Sequence, residues 1–335
     1  MTTAENSALY YEAGQTFTPM TEMTDSGDHK IFNSDAECWS DEAGFSPLVK
    51  SDGVLTGLVV SAAAGNNLVD VSAGTLNLDG YVMDMASVTN KICARGTDIN
   101  VCIINSITIT SAGAFAVVSG SAGEQFSEVR GADGGPPFIP IGSVEIAQVR
   151  LSSITDAPVL ASEILAVPNK HRELANYPAI LTTDFIREQN GIIGSAGVTF
   201  STPLMCNHSG NTPKNVYAQY CEPEFAEIGR AADFQPAANS LTTSSQPYYG
   251  GAIGEVSTAL KSGKFKAYLD NGISDPILAK EGKKIWLKYL VDRYQPGNYI
   301  LTQGFLGITA QYPAKGSIYA DFTINATDAG KRIAM

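Results

Sequence analysis

The sequence predicts a mainly β protein: a C-terminal β-barrel or sandwich carrying one short helix, preceded by an N-terminal β-sandwich or small barrel. Three observations predict it. The chain of 335 residues holds 32 glycines, set between short apolar runs in a Ser/Thr/Ala-rich background, a texture of many short strands. Turn signals recur roughly every 8–12 residues through 51–165, the spacing of a sandwich or small barrel. Between Lys283 and Ala326, apolar residues alternate with polar ones, the period of strands with one buried face.

Bulk properties narrow the function classes. The length favours two domains over one. Charged residues make up 17%, below the roughly 25% of an ordinary soluble domain, as expected of a subunit whose faces are buried in an oligomer. A formal charge of −12 argues against a nucleic-acid grip, because phosphate affinity comes from clustered Lys and Arg. It is compatible with nucleic acid sliding past a repelling wall. The five cysteines, Cys38, Cys93, Cys102, Cys206 and Cys221, form no CxxC pair and read as reduced thiols. The segment MTTAENSALYYEAG lacks the basic and apolar regions of a signal peptide. No run of about 18 apolar residues is present to span a bilayer.

Taken in order, residues 1–50 read as an irregular polar arm with scattered aromatics, among them Tyr10, Tyr11, Phe32 and Trp39. Such an arm must lie on its own domain or on a neighbouring subunit. Residues 51–165 form the first β region. Strands are expected near Leu58–Ser61, Leu68–Val71, Gly80–Met85, Asn100–Ile109, Ala114–Val118 and Ile139–Leu151. The last of these has Ile141, Val144, Ile146 and Val149 to bury. Residues 154–190 form a seam punctuated by Pro158, Pro168 and Pro178, with short helices expected at Ala161–Val167 and Asp184–Gln189 and the linker between the two β regions placed at 166–195.

Residues 196–335 form the second β region. A strand ends near Glu227, and a polar loop runs from Gln235 to Pro247. A strand over Ser262–Asp270 follows, closed by Asn271-Gly272. Asp275 and Pro276 then start a short helix, as N-cap and first helical residue, which Gly282 stops. Three strands complete the chain: Lys283–Asp292, Tyr299–Thr309 and Ser317–Ala326. Ile285, Leu287, Tyr289 and Val291 share a face of the first. Ile318, Phe322 and Ile324 share a face of the last, with Tyr319, Asp321 and Thr323 opposite.

This order of phrases resembles the tail tube proteins (major tail proteins) of long-tailed bacteriophages. The phrases are FAEIGRAADFQP (Phe225–Pro236), SGKFKAYLD, DPILAKEGKK, KIWLKYLVD, YILTQGFLGITAQYPAKG and SIYADFTINATDAG. The resemblance covers roughly the C-terminal 40% of the chain. TLNLDGYVMD and FIPIGSVEIAQVRLS look like modules that decorate phage tail and baseplate proteins, so residues 51–165 are either decoration or part of the wall. The family implies a tail-tube-like β-barrel or sandwich with a flanking helix. It implies self-assembly into hexameric rings stacked into a hollow tube, the conduit for genome delivery. The implied setting is the virion tail, assembled in the host bacterial cytoplasm. The implied partners are further copies of the chain and the tape measure, terminator and tip proteins. Viral DNA passes through without specific binding, and this chain inserts into no membrane. A tail-tip, baseplate or decoration protein is the alternative within structural proteins. A secreted carbohydrate-binding or hydrolytic β-protein is the alternative of another class.

Physical argument supports the tube at two points. Unpaired sheet edges seek partners, and a ring removes them by closure. An acidic lumen repels the DNA backbone and does not trap it. Asp321 and Thr323 are the candidates for a polar, lumenal strand face. Lys280, Lys283, Lys284 and Lys288 are the one basic concentration, read either as a solvated surface or as a patch that pairs with an acidic neighbouring subunit.

No catalytic or cofactor site is expected. His29, His171 and His208 are far apart and accompany no GxSxG elbow. Cys206, His208 and Cys221 lack a fourth zinc ligand and a finger spacing. A Cys206–Cys221 disulfide is the covalent alternative to free thiols in a particle that leaves the reducing cytosol. Gly250–Gly254 lacks the GKS/GKT ending of a phosphate loop, and reads as a flexible loop. Glu227, Asp233 and Asp292 show no glycosidase-like pairing.

Overall fold

The computed structural model describes residues 4–176, 180–189, 192–204, 207–209 and 212–333. The protein is mainly β, built from several antiparallel sheets, and its helices are 3-10 turns of three to five residues. No sheet among the described residues closes into a barrel.

The largest sheet has nine strands. Its path runs Ala231–Gln235, Gly263–Tyr268, Tyr319–Ala326, Tyr299–Gln311, Lys284–Leu290, Ala8–Glu22, Val216–Glu227 and Leu48–Ser51, and Lys331–Ile333 pairs beside the start of Tyr299–Gln311. The expected C-terminal meander is present. Leu290 faces Tyr299, and Gln311 faces Tyr319. Its inner face buries Ile285, Leu287, Leu306, Phe322 and Ile324 with Phe265, whose ring stacks on Phe322 at 4.4 Å. The Pro276–Lys280 3-10 helix closes this core with Ile277. Asp275 caps it by accepting from the Ile277 amide, and Gly282 adopts φ +72° just beyond its end. Val291, expected on the same face, lies past the strand and is exposed.

The arm expected at residues 1–50 is corrected. Ala8–Glu22 is a fifteen-residue strand in the interior of the main sheet, paired with Val216–Glu227 on one side and Lys284–Leu290 on the other. Gly14 and Pro19 look like breakers in the sequence. Register shifts between Glu12 and Gly14 and between Thr18 and Thr21 absorb them as bulges, the setting in which sheets tolerate such residues.

Residues 53–165 form three small sheets around one core of aliphatic side chains, among them Val54, Val69, Leu76, Ile107, Val144 and Val149. Leu68–Val71 is a strand, as expected, and Gly74–Leu78 is one that was not expected. Val144, Ile146 and Val149 are buried, but Ile141 sits in the turn before its strand and is exposed. Of the seam helices, Ala161–Val167 reduces to a 3-10 turn at Ala161–Glu163 followed by a two-residue strand. The Asp184–Gln189 segment is not helical: a bend at Phe185-Ile186 leads into a Glu188–Gln189 strand. Phe185 is held there by packing edge-on against the buried Trp39, a tertiary contact that outweighs local propensity.

The Gln235–Pro247 segment is also corrected. It forms most of one arm of a hairpin, Ala238–Tyr248 against Gly251–Lys261, paired in unbroken register. Gly250 at φ +104° closes its two-residue turn, a conformation that a side chain would strain. Gly250–Gly254 is therefore a hairpin turn and strand, not a free loop.

Candidate assembly surface and buried polar junction

The hairpin has two unlike faces. Alternation and register place Leu241 and Thr243 of one strand with Val256, Thr258 and Leu260 of the other on a single side. Leu241 is 72% and Val256 67% exposed, so none of the described residues covers these two side chains. Among the described residues the hairpin pairs with no other sheet. An isolated two-stranded ribbon is marginally stable in water, and an uncovered apolar face of this kind marks an interaction surface.

Asp321 and Thr323 stand on the outer face of the main sheet, as alternation predicts. Lys264 and Lys266 lie beside them in register on the neighbouring strand. The Lys266 ammonium is 3.8 Å from Asp321 and 4.7 Å from the centroid of Tyr319. The Thr323 hydroxyl donates to the Gly307 carbonyl at 3.4 Å. This face is polar and solvated.

The four lysines, read either as a solvated surface or as an inter-subunit patch, each pair with a carboxylate of the same chain. Lys280 reaches both carboxylate oxygens of Glu42 at 2.8 Å, and Lys283 reaches Glu42 at 3.2 Å. Lys284 pairs with Asp41 at 2.7 Å and Lys288 with Glu37 at 3.0 Å. These acids belong to a segment lying across the outer face of the Lys284–Leu290 strand. The Trp286 indole donates to the Trp39 carbonyl there at 2.8 Å. Beneath it Glu12 is fully buried and accepts from the Trp286 amide at 2.9 Å and from the Ser40 hydroxyl. Burial pushes its carboxyl above the usual range, against the pull of those hydrogen bonds.

Cys206 lies outside the described residues, and with it both the disulfide with Cys221 and the three-ligand zinc set. Cys221 is a buried thiol. The histidines do not meet in one site: His29 bonds Asp25 in a turn, and His208 bonds the Ser143 carbonyl at 3.0 Å. Among the described residues no group of three or more His, Cys, Asp or Glu side chains could hold a metal ion. None of the helices there is long and apolar enough to cross a membrane. Glu227 pairs with Arg293 at 3.0 Å, and Asp292 caps the Tyr294 amide.

The densest ionisable cluster went unnoticed in the sequence. It lies where residues 53–165 meet the main sheet. A bulge at Ile146 directs Glu145 and Gln148 to the side of their strand opposite the apolar core, and the Gln148 amide donates to Glu145 at 3.3 Å. Glu145 is fully buried. It pairs with Arg130 at 2.6 Å and accepts from the Ser106 hydroxyl. Its own backbone N–H donates to Glu173 at 2.8 Å. Asn207 donates to Glu173 at 2.9 Å, and the fully buried Lys214 stands 3.6 Å from the same carboxylate. Asp52, also buried, accepts from the Asp79 amide at 2.9 Å.

The arrangement is closed. Arg130 also donates to the Pro137 carbonyl, and the Ile139 amide donates to Asn207, so the loop between Ser119 and Val144 roofs the cluster. Gly134 in that loop has φ +70°, and a Cβ there would fall 2.0 Å from the Gln125 carbonyl oxygen, so only glycine fits. Through these bonds the groups tie together chain segments that are far apart in sequence. The one sequence signal was Glu145, a lone charge inside the apolar run VEIAQV.

No protein-family model matches this chain, and no curated protein sequence matches it.

Proposed function

We propose that the protein is a structural virion subunit that self-assembles into stacked hexameric rings, forming the tail tube of a long-tailed bacteriophage. The tube is the conduit through which the genome enters the host. The observation that carries the reading is the projecting hairpin with its uncovered apolar stripe, attached to an open-edged sheet in a chain poor in charge. Such a surface needs a partner, and further copies of the chain supply one. The resemblance from Phe225 to Gly330 supports the tube as the form of that assembly. The net acidity of the chain suits a wall that repels DNA, and Asp321 and Thr323 are proposed for its lumenal face.

Sedimentation of the purified protein tests self-assembly. Material far larger than the 35.4 kDa monomer is expected to grow with concentration. A monomer that persists at every concentration and binds glycans would favour a carbohydrate-binding protein.

A further inference from the structure

The junction cluster holds more carboxylates than cations. Asp52, Glu145 and Glu173 face Arg130 and Lys214, and all but the partly covered Arg130 are nearly inaccessible to water. With every group ionised, a buried negative charge would be left without a partner, which is costly. One proton removes it. We propose that the cluster is a proton-loaded latch: a proton held among Asp52, Glu145 and Glu173 fixes residues 53–165 to the main sheet, and its loss as pH rises loosens the junction.

Hydrogen bonding identifies Asp52 as the holder of that proton. Glu145 has Arg130, Ser106 and Gln148 to stabilise its charge, and Glu173 has Asn207, Lys214 and the Glu145 amide. Asp52 has one backbone amide, that of Asp79. Burial pushes its carboxyl up to about 7, with Lys214 acting against the rise and Asp79 and Glu173 adding to it. Burial also raises the Glu145 carboxyl, with Arg130 and Ser106 acting against the rise, but its three charge-stabilising partners leave the proton to Asp52. Burial pushes the Tyr217 hydroxyl above its ordinary value, and Asp52 adds to the rise. Burial pushes His171 below its ordinary value, with Arg150 and Lys170 acting in the same direction, so it is uncharged near neutral pH. Burial lowers Lys214, opposed by Glu173 and Asp52.

The latch has a backbone readout. Asp52 begins the chain's passage into residues 53–165. On either side of it Ser51 donates to Ala175 at 3.1 Å and Val54 to Glu173 at 2.8 Å, while Ala175 donates back to Val54 at 3.0 Å. A carboxyl raised on folding stabilises the folded state while protonated, and that stabilisation is lost as pH rises through its folded value.

Amide hydrogen exchange of the full-length protein from pH 4 to 9, corrected for the intrinsic rate, tests the proposal. Opening at Val54 and Ala175 is expected to rise by up to roughly tenfold per pH unit from the ordinary carboxyl range to about 7, and to level off above it. Amides of Leu306 and Ile324 in the main sheet, on strands that do not pair with the one carrying Glu12, stay flat over the same range. Asp52→Asn, which keeps the shape without the charge, abolishes the slope at the junction. A flat wild-type profile at Val54 and Ala175 would overturn the latch. So would a slope shared equally by the main sheet, or one that persists in Asp52→Asn.

Discussion

Glu173→Ala is expected to lower the stability of the folded chain by about 3–5 kcal/mol, the cost of removing one partner from a buried ionic network. Its carboxylate satisfies three groups at once: the Glu145 backbone N–H, the Asn207 amide and the Lys214 ammonium. Alanine leaves the first two without that acceptor inside the protein and deprives a fully buried cation of its nearest anion. Glu173→Gln retains an acceptor for the Glu145 N–H and should cost distinctly less. For a chain of this size the alanine variant should melt roughly 10 °C lower. Thermal unfolding followed by circular dichroism measures both variants. Equal melting of Glu173→Ala and wild type would mean that the network contributes nothing to holding residues 53–165 in place.

The second large effect is on assembly and leaves the fold alone. Leu241→Asp combined with Val256→Asp places two carboxylates on the apolar stripe of the hairpin. Both positions face water in the single chain, so the melting temperature should hardly move, as for other exposed substitutions. In the assembled state each side chain is expected to contribute about 1.5–3 kcal/mol by burial. Losing both raises the concentration needed for assembly by at least roughly 100-fold. The added charges must also be desolvated, so assembly should be absent at ordinary concentrations. Light scattering of wild type and variant, at matched concentration and equal helical and strand content, provides the comparison. Undiminished assembly of the variant would remove the hairpin from any account of the interface.

Local signals were legible where local physics decides the structure. The alternation of Ile318, Phe322 and Ile324 against Tyr319, Asp321 and Thr323 gave the last strand and its faces. Asp275, Pro276 and Gly282 gave the short 3-10 helix and both its ends. Elements whose cause lies far along the chain were not legible. Ala8–Glu22 owes its extended form to pairing with strands about 200 residues or more away, which overrides Gly14 and Pro19. The segment after Gln235 is polar because both faces of its hairpin meet water in the single chain, so it lacks the apolar run that usually marks a strand.

The sites divide in the same way. Lys280 was visible as a charge, but its partner Glu42 is 238 residues away in sequence, so a run of cations looked free to reach a neighbour. Asp52, Glu145, Glu173 and Lys214 are lone charges in four separate segments. Only the folded junction brings them together, and only Glu145, inside an apolar strand, broke the local pattern. The stripe of Leu241 and Val256 was likewise invisible, because Gln235–Pro247 read as a polar loop and gave Leu241 no strand face to share.

Electron microscopy of the purified full-length protein in negative stain tests the central claim most directly. The account predicts long hollow tubes about ten nanometres wide with stacked annuli. A uniform population of single, unassembled particles at high protein concentration would contradict it.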